Sequence, residues 1–281
     1  MDKTLVFFDG VNAQEEYKKD YTTFKTSIDI KNLETGEVIF KGLKNKVIIP
    51  GSGFVARKLF DLTTSEVTPS YNTALGCYTP TTDAAPTSKD SGTTATKDDQ
   101  KVVLFCCGID GCGSESSQVY PVDYTKWIKP ADLIPFRYQV VGNDLSDSLR
   151  DTYFGRTTTS DGKYIAYYFK RFESEPILVQ QYIDGTPIDG TVYDSIKTTS
   201  AETYVELSLK ITKEDVRDYF VATVGIDEAK INSISLCTGY PVEEGGYLYY
   251  KDIRPITKLN IPNESLIDIT KGIEIIYHIY M

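Results

Sequence analysis

The stretch Thr203-Tyr204-Val205-Glu206-Leu207-Ser208-Leu209-Lys210-Ile211 alternates polar and apolar side chains without interruption. Successive side chains of a strand point to opposite faces, so a period of two predicts a strand with one buried side. Val205, Leu207, Leu209 and Ile211 take the core face, and Tyr204, Glu206, Ser208 and Lys210 the other. Further strand signals surround it. Downstream, 231–237, 247–253 and 273–280 read as strands, with turns at Gly239-Tyr240-Pro241 and Glu244-Gly245-Gly246. Upstream, 164–172 and 177–183 flank the break Glu173-Ser174-Glu175-Pro176 and predict a hairpin. Residues 22–31 and 37–40 predict another around Glu34-Thr35-Gly36. Residues 102–107 read as a core strand, and 46–49 as a short strand closed by Pro50.

Helical signals are few. Phe54, Val55 and Leu59 have helical spacing and predict a short helix. Asp144 is placed to cap a helical turn over 145–150. Thr212 is a good N-cap, with Glu214 and Asp215 in the first turn. Val216, Tyr219, Phe220 and Val224 then keep the i, i+3, i+4 rhythm up to Gly225. Residues 63–100 are dense in Thr, Ser, Pro, Asp and Ala and predict an extended loop or arm. The fold expected is mainly β: an antiparallel β-sandwich with one or two short helices and a long Thr/Ser-rich loop. An N-terminal β region, 1–120, carries that loop. A C-terminal region, 121–281, carries the 164–183 hairpin, the helix near 212–224 and the closing strands, and the two are compatible with one shared core.

Composition narrows the function classes. Tyr occurs 21 times against 12 Phe and one Trp, a mix that suits strands and contact surfaces. Net charge is −10 with no Lys/Arg cluster, which argues against a nucleic-acid partner, since phosphate contacts need a basic face. No run nears the ~18 apolar residues of a membrane span, so no membrane partner is expected and the chain reads as made in a cytoplasm.

Cys106, Cys107 and Cys112 cluster, but their spacing is not that of a metal site, and His278 is the single histidine. Cys106 and Cys107 run on from an apolar strand and read as core residues. His278 lies in an alternating run and reads as a sheet side chain, which leaves no Ser-His or Cys-His device. The glycines around Gly51 and Gly108 lack the Lys-Ser/Thr ending of a phosphate loop. No catalytic residue, cofactor or metal is expected.

Several segments resemble structural proteins of tailed-bacteriophage virions, in the same order along the chain. Asn45-Lys46-Val47-Ile48-Ile49-Pro50-Gly51 with Ala56-Arg57-Lys58-Leu59 is similar to an opening found in many of them. Val103-Leu104-Phe105-Cys106-Cys107-Gly108-Ile109-Asp110-Gly111 is similar to a strand ending in Gly-x-Gly, and Ile231-Asn232-Ser233-Ile234-Ser235-Leu236-Cys237 to a later strand. Tyr247-Leu248-Tyr249-Tyr250-Lys251-Asp252-Ile253-Arg254-Pro255-Ile256-Thr257-Lys258 and the closing Ile273-Glu274-Ile275-Ile276-Tyr277-His278-Ile279-Tyr280 complete the series. Ser233-Ile234-Ser235 and Lys251-Asp252 depart from the usual pattern.

The resemblance implies a structural component of the virion (neck or collar, tail or baseplate, or head-associated). It would act without catalysis, as a homo-oligomer bound to other virion proteins. Its expected contact residues are Thr93 and Thr94 in the loop, Tyr247, Tyr249 and Tyr250 on an aromatic strand, and Trp127. A carbohydrate- or surface-binding β-sandwich, using Trp127 and a Tyr cluster as stacking platforms, is the alternative. A glycan hydrolase with an acid pair stands behind it.

Overall fold

The computed structural model describes residues 25–47, 51, 54–55, 58, 71–72, 77–78, 100–113, 118–122, 133–182, 201–244, 246–262 and 272–280. In chain order the strands are β1 (Lys25–Asn32), β2 (Val38–Leu43), β3 (Lys46–Val47), β4 (Tyr71–Asn72), β5 (Cys77–Tyr78), β6 (Lys101–Gly108) and β7 (Arg137–Val140). The turn α1 (Asp147–Arg150) precedes β8 (Tyr153–Thr158), β9 (Tyr164–Arg171), β10 (Ile177–Tyr182) and β11 (Ala201–Ile211). Helix α2 (Arg217–Thr223) leads to β12 (Ser233–Glu244), β13 (Tyr247–Pro255), β14 (Thr257–Asn260) and β15 (Ile273–Tyr280).

Among the described residues these strands form two sheets. The first runs β10-β11-β15-β1-β2 and is antiparallel throughout. The second follows β4-β5-β13-β12-β6-β9-β7, with β14 and β3 joined through β12, and β8 on β9. The two sheets pack as a sandwich. Ile28, Ile30, Leu207, Leu209, Ile211, Ile275 and Tyr277 of the first share one core with Phe105, Cys107, Tyr167, Ile234 and Leu236 of the second. The face predicted for β11 is therefore the buried one. A smaller cluster, Leu104, Cys106, Phe154, Phe169, Cys237 and Ile253, lies on the opposite side of β6 and β12. Burial on both faces explains why β6 is a continuous apolar run rather than an alternating one. Strands from either side of residue 120 pair in both sheets, β1 with β15 and β6 with β12.

The hairpin of β1 and β2 forms around Gly36, which has φ 70. The hairpin expected over 164–183 does not. β9 pairs with β6, β7 and β8, while β10 pairs with β11 in the other sheet. With partners along both edges, β9 has no room for β10, so the exposed break at 173–176 carries the chain across to the first sheet. Gly239-Tyr240-Pro241 is not a turn either: it lies inside β12, at a bulge between Thr238 and Tyr240. The β6 pairing stops at Gly239, so Pro241 sits where a missing N–H costs no ladder bond on that side.

Phe54 and Val55, two of the three residues whose spacing predicts a short helix, are helical, as are Gly51 and Lys58. The later helix starts at Arg217 rather than at Thr212, because the Asp215 side chain turns inward. Val216, at its N-cap, has φ 58, and Gly225, with φ 102, follows its end. Ser146 rather than Asp144 holds the N-cap position of α1. β4 and β5 fall inside the segment expected to be an extended loop, and β5 lies parallel to β13. Residues 22–24, 48–50, Leu59, Thr93, Thr94, Trp127 and Ile183, which figure in the sequence expectations, lie outside the described residues.

Candidate functional site

Of the expected contact residues, the structure describes the side chains of Tyr249 and Tyr250. Strand alternation puts them on opposite faces of β13. Tyr249 is exposed. Tyr250 is half-buried and meets the Phe154 ring edge-on at 4.8 Å. Burial raises its hydroxyl above the ordinary tyrosine range, with Arg171 pulling the other way. The backbone of Tyr247 begins β13, opposite Glu244. Tyr249 thus faces solvent, and Tyr250 anchors the strand.

A second aromatic group lies on the outer face of the first sheet. Tyr204 lies opposite Tyr280, and Glu206 opposite His278, across β11 and β15. The Tyr204 ring centroid is 4.7 Å from His278 and 5.4 Å from Tyr280. His278 Nε2 lies 2.9 Å from Glu206 Oε2, and Gln181 donates to Glu202 at 2.7 Å. Burial first, then Glu206 and Glu202, raise the Tyr204 hydroxyl. At one edge of this sheet β10 exposes Ile177 and Leu178, at 53% and 64%. An exposed apolar edge strand is a template for pairing with another chain.

The most unusual chemistry is internal. Lys170 on β9 stands between its paired neighbours Tyr153 of β8 and Phe105 of β6. Its ammonium donates to Asp215 Oδ2 at 2.8 Å, and the two side chains are 2% and 0% exposed. The same Nζ donates to the Lys210 carbonyl at 2.8 Å. Asp215 also accepts the Tyr153 hydroxyl on Oδ1 at 2.7 Å, and the Thr212 N–H and hydroxyl on Oδ2 at 2.8 and 3.2 Å. The Arg137 guanidinium lies 5.3 Å from the centre of the Tyr153 ring. Burial, then Asp215, push the Tyr153 hydroxyl well above its ordinary range. Nearby, burial, then Cys106 and Asp215, hold the Cys107 thiol protonated.

This cluster joins the two sheets, and sequence reading missed it. The available signal was Lys170 itself, a charged residue between the aromatic run Tyr164-Ile165-Ala166-Tyr167-Tyr168-Phe169 and Phe172. Asp215 passed as a first-turn helix residue.

Cys106 and Cys107 fall in different clusters on opposite faces of β6, so adjacency in sequence does not let them share a ligand. Cys106 Sγ lies 3.7 Å from Cys237 Sγ. Among the described residues no group of three or more His, Cys, Asp or Glu is placed to hold a metal ion. No helix among them is long and apolar enough to cross a membrane. No protein-family model, curated protein or solved structure matches the chain.

Proposed function

We propose that this chain is a structural component of a tailed-bacteriophage virion, acting by self-assembly and contact with other virion proteins, without catalysis. One observation carries the reading: the segments that resemble virion proteins are neighbours in the fold. β6, β12 and β13, which hold three of them, lie side by side, and β15, which holds the last, lies at the middle of the other sheet. The shared order along the chain therefore belongs to the framework of the sandwich, not to scattered surface strands. The exposed apolar residues of β10 supply an edge for self-association.

Native mass spectrometry of the purified chain, together with single-particle reconstruction of the virion, tests this. Ordered multimers and density matching the sandwich are expected. A chain that stays monomeric at every concentration and is absent from purified particles overturns it.

A carbohydrate- or surface-binding role has its own support in His278 and Tyr280, half-buried beside the buried Tyr204. Rings beside carboxylates can stack on a sugar and accept its hydroxyls. Glycan-array binding that is lost in Tyr280→Ala would favour that role.

A further inference from the structure

We propose that Lys170 and Asp215 condense to form an amide, an intramolecular cross-link between β9 of the second sheet and the turn that follows β11 of the first. Side-chain amides do not form in water because the amine is protonated, the acid is ionised and solvent competes. The site around Lys170 excludes the solvent and joins the two groups by a hydrogen bond along which a proton can pass. Nζ lies 2.8 Å from Oδ2, and both side chains are closed off from solvent. Nζ is held in place by the Lys210 carbonyl, and the Asp215 carboxyl by Tyr153 and Thr212. Groups that reach a near-attack geometry from such a fixed start react as though at effective concentrations of roughly 10⁵–10⁸ M. The product is neutral, so condensation relieves the burial of two charges, which a dry interior tolerates poorly.

The backbone adds an independent sign. Val216, next to Asp215, is β-branched, fully buried and held at φ 58. Such strain persists where surrounding structure overdetermines a geometry.

The step balances without any further reagent. One proton passes from Nζ to Oδ2 along their hydrogen bond, leaving an amine and a carboxylic acid. The Nζ lone pair adds to Cγ, and the negative charge that develops on Oδ1 is met by the Tyr153 hydroxyl. A second proton then moves from Nζ to Oδ2, the Cγ–Oδ2 bond breaks, and Oδ2 leaves as water. Ammonium and carboxylate become one amide and one water, with no change of oxidation state.

Denaturing intact-mass spectrometry of the full chain, after overnight incubation, reads the result directly. The expected mass is one water below that of the sequence, and Lys170→Arg and Asp215→Ala each return to their full sequence masses. Peptide mapping then shows a branched peptide joining residues 170 and 215. Succinimides at Asp-Gly pairs such as Asp161-Gly162 also shed water, but they persist in Lys170→Arg. A wild-type chain at full mass, or a water loss that survives Lys170→Arg, overturns the proposal. Either reading is made on the isolated chain and is independent of any particle.

Discussion

Lys170 and Asp215 are the residues on which the interior depends most sharply. Asp215→Ala leaves an ammonium buried without its carboxylate, and a loss of about 3–5 kcal/mol is expected, read as a lower denaturant midpoint. The double replacement Lys170→Met with Asp215→Leu leaves no buried charge and should recover the share of that loss due to the unpaired ammonium, while the share due to the proposed cross-link stays lost. Asp144 is a milder case. It accepts the Tyr167 hydroxyl and the Leu145 N–H at 2.8 Å each, and Arg156 Nε at 3.0 Å. Burial alone would raise its pKa, but those donors outweigh burial and hold it below the usual carboxylate value. A depressed folded pKa gives stability that is complete above the unfolded value of about 3.9 and is lost as pH falls through the folded one. Urea midpoints should therefore drop through the acid range in the wild type, and Asp144→Asn should flatten that part of the fall.

The connection after β6 turns on one glycine. Gly111 N–H donates to Asn232 Oδ1 at 2.7 Å, and Asn232 Nδ2 donates back to the Ile109 carbonyl at 3.0 Å. A Cβ on Gly111 would collide with the Asn232 carbonyl oxygen and come within 2.8 Å of its carbon. Gly111→Ala is expected to cost about 1–3 kcal/mol by overpacking against backbone, measurable by thermal or urea unfolding. In the sequence this glycine was only one of a loop that failed as a phosphate cradle, because the strand that needs its space lies 121 positions away. Strand character was legible wherever a local period existed, as in β11 and β15. Partnership was not: β9 and β10 look like a hairpin because they are adjacent and separated by a Pro-bearing break, yet β9 is already paired on both edges. The start of α2 was misplaced for a related reason. Thr212 and Asp215 are good cap and first-turn residues locally, but Asp215 is drawn into a long-range ion pair that no local pattern reveals.

The sandwich exposes an apolar edge at the rim of the first sheet. Ile177 and Leu178 extend from β10 with more than half of their surface exposed, so a charge there should cost the fold little and association much. Ile177→Lys is expected to leave the unfolding midpoint within about 0.5 kcal/mol of wild type and to shift native mass spectra toward monomer. Unchanged multimers would move the self-association surface elsewhere, with exposed Tyr249 the next to replace. The sequence made the aromatic strand holding Tyr249 and Tyr250 legible, but not which of the two is exposed. It could not make the β10 edge legible, since edges exist only once sheet order is known.

The central place of β15 has a consequence for how the chain is made. It separates β11 from β1, and its eight residues pair with both. As the ribosome adds residues in order, β1 and β11 emerge with the strand that unites them still unmade. Until residues 273–280 follow, each presents an open flank to other nascent chains, so the first sheet closes only once they have been made.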